Sequence, residues 1–203
     1  IAIILMSSCT TNNGKKENMP PKYIFLFIGD GMSYNNVALT ESYLSYKSGK
    51  LGGEQLLFTT FPQFGSATSH SADCRVTDSS ASGTAISTGT KTNNAMLGVD
   101  PEGNKLRSMS YDLHDMGYNV GIISSVPVNH ATPSSFYANS NSRYAYYSIT
   151  EQLPGSGFEY FAAAGMINYY GDDDDNPKDG ADIMLEKQGV NVCFSIEEAK
   201  EAI

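Results

Sequence analysis

From Lys22 onward, short apolar runs alternate with amphipathic stretches, a pattern typical of a layered α/β domain. Residues 23–28 form one continuous apolar run that ends at Gly29, so we expect a strand buried on both faces there. The pattern predicts a three-layer α/β/α sandwich with a largely parallel central sheet and no internal repeat. Helices are predicted over 33–48, 79–87, 106–116, 132–139, 143–152 and 181–187, with another opening at Ser195, and further strands over 118–124, 158–163 and 190–194.

The first nine residues read as an apolar run followed by small residues and Cys9. The run is too short to span a bilayer and resembles the hydrophobic region of a secretory signal. Small residues directly before a cysteine resemble a bacterial lipoprotein processing site. We therefore expect residues 1–21 to be a leader and linker, residues 22–203 to be the folded domain, and the protein to be exported to the periplasm or cell envelope, lipid-anchored through Cys9. A disordered tail is the alternative.

The chain has 203 residues and a formal net charge of −9. This acidity argues against DNA or RNA as a partner, because their phosphate backbones attract basic surfaces. The negative charge either is offset by bound cations or serves only solubility. Cys74 and Cys193 either form a disulfide in an oxidising compartment or are buried free thiols.

One low-complexity tract, residues 172–176, has acidic or amide side chains at alternate positions, as in calcium-binding loops. Pro177 stands where such loops need glycine, which favours a solvated surface loop.

Polar side chains follow two of the predicted strands. Asp30 lies between Gly29 and Gly31, directly after the first strand, and His130 and Thr132 follow the strand predicted over 118–124 by a short loop. Ligands bind at the carboxyl ends of strands in open α/β sheets. Each motif taken singly is an ordinary turn or helix cap, but together they predict a site at one edge of the sheet.

Ser79 opens a run of small residues that is predicted to be helical. A serine hydroxyl is a weak nucleophile near neutral pH and needs a base or a cation to activate it. At a helix N-terminus the hydroxyl lies beside backbone N–H groups and the positive end of the helix dipole, where an incoming phosphate is also favoured. The position therefore suits phosphoryl transfer to Ser79.

These motifs, at residues 28–32, 76–82 and 130–133, resemble the N-terminal motifs of alkaline phosphatases. The resemblance runs from about residue 22 to about residue 143 and, more faintly, through residues 161–165. It implies an alkaline-phosphatase-like fold, and hydrolysis of phosphate monoesters to inorganic phosphate through a covalent phosphoserine at Ser79. It also implies zinc and magnesium as cofactors and, commonly, a homodimer.

The resemblance further implies roles for individual residues. Asp30 would bridge one zinc and the magnesium, Thr132 would help hold the magnesium with His130 close by, and zinc would bind the Ser79 hydroxyl and lower its pKa. Arg143 would grip the substrate phosphate with its planar guanidinium. For Arg143 a surface salt bridge is the alternative. Asp78 would position that arginine or a nearby water.

The resemblance also has a limit, because a catalytic zinc takes three or more protein ligands and the chain has only three histidines. His114 lies in a predicted amphipathic helix and His70 in a predicted loop. The remaining zinc ligands and a magnesium-binding glutamate belong to a C-terminal half that the family has and these residues do not contain. We therefore expect the nucleophile half of the site, a fold incomplete at its C-terminus, and little phosphatase activity from these residues by themselves.

Three other functions compete with a phosphomonoesterase. Sulfatases need a Cys/Ser-x-Pro-x-Arg sequence, which is absent around Ser79, and related phosphodiesterases usually have threonine as the nucleophile. The third, from a different class, is a non-catalytic envelope lipoprotein that binds phosphate or a metal.

Overall fold

The computed structural model describes residues 2–7, 20–173 and 175–202, and of residues 2–7 it describes the backbone. Cys9 and Asp174 lie outside the described residues. The chain divides into two compact units, Ile1–Thr68 and Ser69–Ile203, called the first and second units below. The boundary predicted at residue 21 is of another kind, since it marks the end of a leader, and it stays a prediction.

The first unit contains a two-stranded antiparallel sheet and a helix. Strands β1 (Ala2–Ser7) and β2 (Ile24–Gly29) pair along their whole length. Helix α1 (Tyr34–Lys47) confirms the helix predicted over 33–48. A 3₁₀ turn, Leu57–Thr60, is tied to α1 because the Glu41 carboxylate accepts hydrogen bonds from the backbone N–H of Leu56 and the hydroxyl of Thr59.

Strand β2 differs from the prediction of a strand buried on both faces. Phe25 and Phe27 are 55% and 56% exposed, whereas Leu26 and Ile28 between them are half-buried. Successive side chains of a strand point to opposite faces, so one face of β2 is open and the other partly covered. An all-apolar strand is fully buried only when elements pack on both of its faces.

The second unit holds two more strands, which are parallel to each other, and six helices among its described residues. The strands are β3 (Gly121–Ile123) and β4 (Tyr160–Ala162). The helices are α2 (Ser79–Thr88), α3 (Met109–Asp115), α4 (Ala131–Ser134), α5 (Tyr146–Thr150), α6 (Ala181–Glu186) and α7 (Ile196–Glu201). A parallel pair needs a crossover connection, and here α4 and α5 lie in it.

Strand β3 is shorter than the strand predicted over 118–124. The backbone N–H of Val120 donates to the carboxylate of Glu159 at 2.7 Å, so a side chain takes the position that a ladder partner would have. Beyond the strand, Ser124 donates to the carbonyl of Ala162 at 2.9 Å and extends the contact between the two segments. The pairing itself confirms the parallel arrangement predicted for this part of the chain.

A single cluster of buried side chains forms the core of the second unit. It joins the loop before α4, α4 itself, α5 and the chain beyond them, and it includes a tyrosine, Tyr137, whose hydroxyl donates to the carbonyl of Val128 at 3.1 Å. Burial raises the pKa of Tyr137. The members of the cluster are Leu97, Val128, Ala131, Tyr137, Ala138, Ile149, Leu153, Phe158 and Leu185.

Two predicted elements of the second unit are wrong in extent or kind. Residues 190–194 form no strand, because Val190 and Val192 pack against the core, and the N–H of Val190 caps α6 by donating to Leu185. Helix α4 covers only the first turn of the segment predicted over 132–139. The rest continues as buried turns that lead into the antiparallel bridge between Leu97 and Ser140.

Both cysteines of the second unit are free, and Cys74 is exposed. The predicted alternatives of a disulfide and of two buried thiols are therefore both wrong for Cys74. None of the helices in the described residues is long and apolar enough to cross a membrane.

Candidate functional site

Helix α2 begins at Ser79, and Asp78 caps it. The Asp78 carboxylate accepts the backbone N–H of Ala81 at 2.9 Å, as an aspartate at the N-cap position does. At the other end, Gly89 takes a left-handed conformation (φ 74°) and closes the helix. Ser79 is therefore the first residue of a ten-residue helix, at the positive end of its dipole.

The Asp78 carboxylate is the most heavily hydrogen-bonded group near Ser79. Besides Ala81 it accepts the hydroxyl of Ser80 at 2.8 Å, the backbone N–H of Ala95 at 3.0 Å and the guanidinium of Arg143 at 3.1 Å. Burial raises the pKa of Asp78, but these hydrogen bonds together outweigh it and leave the pKa below its usual range. Asp78 is therefore held as a carboxylate that anchors other groups.

Arg143 lies against Asp78 and is largely buried. Its side chain is 13% exposed and that of Asp78 23%, so the pair is no surface salt bridge, which was the alternative for this arginine. A second guanidinium nitrogen lies 3.3 Å from Nε2 of His130. The Nε atom of Arg143 is buried and has no hydrogen-bond partner within the described residues. Such a donor is costly unless something else accepts from it, and an oxyanion is a suitable acceptor.

Helix α4, which follows His130 and contains Thr132, packs closely on α2. A Cβ atom placed on Gly83 would lie 3.7 Å from Cα of Thr132 and 2.4 Å from Oγ of Ser135. Ser79 lies one turn before Gly83 on the same face of α2. The second unit thus brings together five of the six predicted site residues, namely Asp78, Ser79, His130, Thr132 and Arg143.

The close contact at Gly83 gives a first prediction. Gly83→Ala is expected to lower the free energy of unfolding by about 1–2 kcal/mol, because overpacking costs roughly 1–3 kcal/mol and alanine returns up to about 1 kcal/mol of helix propensity. Urea denaturation measures it. Ser135→Ala removes the clashing Oγ, so the double variant should lose less than the sum of the single variants, and strict additivity would contradict the contact.

Asp30 lies in the first unit, in a turn that the N–H of Met32 closes onto the carbonyl of Gly29 at 3.2 Å. Gly31 has a φ of 69°, which suits glycine in such a turn. Asp30 follows β2 directly, as predicted. Its predicted place as a metal ligand stays a prediction.

Two polar residues near this constellation were not identified from the sequence. Asn94 accepts the backbone N–H of Asp78 at 3.0 Å. Asn129 is fully buried, and its side-chain amide donates to the carbonyl of Ile167 at 2.8 Å while its oxygen accepts the N–H of the same residue. Asn129 stands within the motif that includes His130, but the pattern gave no reason to assign it a role. A hydrogen-bond partner at a distance along the chain leaves no signal in a single sequence.

The donor set near Ser79 fits the two predicted metals unequally. Hydroxyl and carboxylate oxygens, such as those of Thr132 and Asp30, are the ligands that magnesium prefers. Zinc needs three or more His, Cys or carboxylate ligands. No group of three such side chains that could hold a metal is found among the residues that the structure describes. The described residues therefore do not form a zinc site by themselves.

Comparison with known proteins identifies the family. The sequence profile of alkaline phosphatases matches residues 21–168, which is well over half of the chain. The chain belongs to the alkaline phosphatase family. Alkaline phosphatase 4 of Bacillus subtilis is 32% identical over 136 residues, a stretch that covers 64% of this chain and 28% of that protein. Alkaline phosphatase of Gadus morhua is 31% identical over 145 residues.

Solved alkaline phosphatases share the fold. The enzyme of the Antarctic bacterium TAB5 matches with a TM-score of 0.56 and 27% identity, covering 63% of this chain and 36% of that one. A variant of the TAB5 enzyme whose structure has magnesium bound matches with a TM-score of 0.63 and 26% identity, covering 76% and 43%. These neighbours confirm the predicted α/β fold class. The chain spans between about a quarter and two fifths of the length of these relatives.

Proposed function

We propose that this chain carries the nucleophile and the phosphate-binding arginine of an alkaline phosphatase, which hydrolyses phosphate monoesters through a phosphoserine at Ser79. The observation that carries the proposal is the buried pair between Asp78 and Arg143 at the N-terminus of α2. This pair places a fixed guanidinium beside a serine that opens a helix, and both groups favour an oxyanion.

In the proposed reaction, the Ser79 oxygen attacks phosphorus, the new P–O bond forms, and the bond to the leaving alcohol breaks. The guanidinium of Arg143 would pair with two equatorial oxygens while Asp78 keeps its plane fixed. The N-terminal turn of α2 adds its dipole to the stabilisation of the negative charge. Water then hydrolyses the phosphoserine and releases inorganic phosphate.

Asp30, Thr132 and His130 would hold a magnesium ion near this pair, as the resemblance implies. Bound zinc and magnesium would supply an activated serine oxygen and a stabilised leaving group. The chemistry of the donor set supports magnesium at these residues, and zinc needs ligands beyond the grouping seen in the described residues.

Trapping the intermediate tests the proposal. The full-length protein, incubated with p-nitrophenyl phosphate, zinc and magnesium and quenched in acid, should carry one phosphate on Ser79, as measured by mass spectrometry of its peptides. Ser79→Ala should abolish the label. The matched control is Ser82→Ala, which removes a hydroxyl of the same helical turn that donates to the Asp78 carbonyl, and it should retain the label.

Two outcomes would contradict the phosphatase. Label that persists in Ser79→Ala would place the nucleophile elsewhere. Tight binding of inorganic phosphate with no label on any serine would favour the alternative, a non-catalytic phosphate-binding or metal-binding envelope lipoprotein.

We further propose that the 203 residues expressed by themselves hydrolyse p-nitrophenyl phosphate little or not at all with zinc and magnesium. The support is that the described residues group no three zinc ligands. Turnover by this polypeptide at a rate near that of the full-length protein would contradict it.

Export, lipid anchoring through Cys9 and homodimerisation also remain proposals. Cleavage before a lipidated Cys9 would remove β1 and leave the edge of β2 without that partner. Mass spectrometry of the mature N-terminus from membrane and soluble fractions tests the anchor, and an unprocessed, unmodified N-terminus would contradict it. Size-exclusion chromatography with light scattering tests the dimer.

A further inference from the structure

The segment that leads into Ser79 is fixed by one asparagine from another part of the chain. The side-chain oxygen of Asn94 accepts the N–H of Asp78 at 3.0 Å, and its side-chain amide donates to the carbonyl of Val76 at 3.0 Å. The backbone N–H of Asn94 donates to the carboxylate of Asp73 at 2.9 Å. Asn94 thus holds the chain at three points within the six residues before the nucleophile.

Apolar packing does little to locate this segment. Residues 72–76 are exposed, and Val76 is 80% exposed. Buried apolar contacts are what usually fix a loop, so here the hydrogen bonds to Asn94 carry that task.

The next residue, Ala95, connects the nucleophile turn to the arginine. Its N–H donates to the Asp78 carboxylate at 3.0 Å, and its carbonyl accepts the backbone N–H of Arg143 at 2.7 Å. The guanidinium of Arg143 returns to the same carboxylate oxygen at 3.1 Å. These three contacts form a closed ring, so a movement of Ala95 changes the position of Arg143 relative to the turn that carries Ser79.

The backbone of Ala95 is itself held in an unfavourable conformation. Its φ is 66°, in the left-handed region that residues other than glycine rarely adopt. Such conformations persist where the surrounding contacts determine them, and they cluster at functional sites. Two residues on, buried Leu97 exchanges both backbone hydrogen bonds with Ser140, at 2.9 and 2.7 Å, which anchors the turn to the core.

We propose that Asn94 and Ala95 are positioning residues for the phosphorylation of Ser79: they fix the distance and angle between the nucleophile turn and the guanidinium that grips the phosphate. The proposal rests on the proposed function of Ser79 and Arg143. Neither residue touches the substrate. Small errors in the placement of reacting groups lower catalytic rates steeply, so loss of the contacts should act on the reaction more than on substrate binding.

The test is steady-state hydrolysis of p-nitrophenyl phosphate by the full-length protein with zinc and magnesium. Asn94→Ala should lower kcat by about 10- to 100-fold and change KM by less than about three-fold, because Arg143 keeps its partner Asp78. Ala95→Val places a β-branched residue at a positive φ and should lower kcat and also raise KM, since it moves both sides of the ring. The matched control is Asn93→Ala, whose amide reaches only the carbonyl of Pro101 at 3.4 Å, and its kcat and KM should stay within about two-fold of wild type.

Amide hydrogen exchange on the same proteins separates positioning from loss of the fold. In Asn94→Ala the N–H of Asp78 should exchange at least about ten-fold faster, and the N–H of Leu97 should keep its wild-type rate. Faster exchange at both would mean a merely structural role and would overturn the proposal.

The remaining outcomes separate this inference from the proposed function. An active wild-type protein with an unchanged kcat in Asn94→Ala would overturn the positioning role alone. A wild-type protein that shows neither turnover nor label on Ser79 would overturn the proposed function, and the positioning role with it.

Discussion

Asp78→Ala is expected to lower the free energy of unfolding of the second unit by about 3–5 kcal/mol, because it leaves a largely buried guanidinium without its anion. The substitution removes the acceptor of four hydrogen bonds, from Ala81, Ser80, Ala95 and Arg143. It also removes the N-cap of α2, which by itself contributes about 1 kcal/mol. Urea denaturation of the full-length protein, followed by circular dichroism, measures the loss.

Asp78→Asn separates the cap from the ion pair. Asparagine caps a helix as well as aspartate does, but its amide donors would face the donors of Ala95 and Arg143. We therefore expect a loss between wild type and Asp78→Ala. The matched control is Asp112→Ala, which breaks an exposed ion pair with Arg107 and should cost less than about 1 kcal/mol. Equal losses for Asp78→Ala and Asp112→Ala would contradict the buried pair.

Gly98→Ala is expected to destabilise the second unit by about 3 kcal/mol or more, the sum of backbone strain and overpacking. Gly98 has a φ of 60°, and a Cβ atom there would lie 2.2 Å from the carbonyl oxygen of Ala138 and 2.8 Å from the amide nitrogen of Asn139. The carbonyl belongs to the backbone and cannot rotate away. The residue also accepts the N–H of Leu106 at 2.8 Å, so a shift would break further contacts.

Gly117→Ala is the matched control for Gly98→Ala. Gly117 also has a positive φ, 87°, but a Cβ atom there would meet nothing within 4 Å. Its cost should be the backbone strain of about 1–2 kcal/mol and no more. Thermal or urea unfolding of both variants isolates the steric part, and equal losses at the two positions would contradict the contact with Ala138.

The elements that the sequence predicted best are those with local signals. Helix α2 could be predicted at both ends, because aspartate at position 78 is a strong N-cap and Gly89 suits a left-handed C-cap. Helix α1 likewise has a polar cap and ends before Gly49. Residues 190–194 show the limit, because an alternating apolar pattern packs a segment on a core whether or not a strand lies beside it.

The site could be predicted in its parts more than in its connections. Ser79, Asp78 and Arg143 stand in motifs whose chemistry follows from the residue types. The link through Asn94 and Ala95 spans more than ten residues to Asp78 and almost fifty to Arg143. The left-handed backbone falls on Ala95, a residue with no preference for it, so nothing local announced the turn.

Helix α2 presents one stripe of small buried residues, Ser80, Gly83, Thr84 and Ser87, and through the last of these it donates a hydrogen bond to the carbonyl of Ser135 at 2.7 Å. Side chains at this spacing share one face of a helix. Tolerance to amino-acid replacement along α2 should therefore rise and fall with the helical period, with the strictest size limit on this stripe. Directed evolution of the protein would find room for change on the other faces of this helix and almost none here.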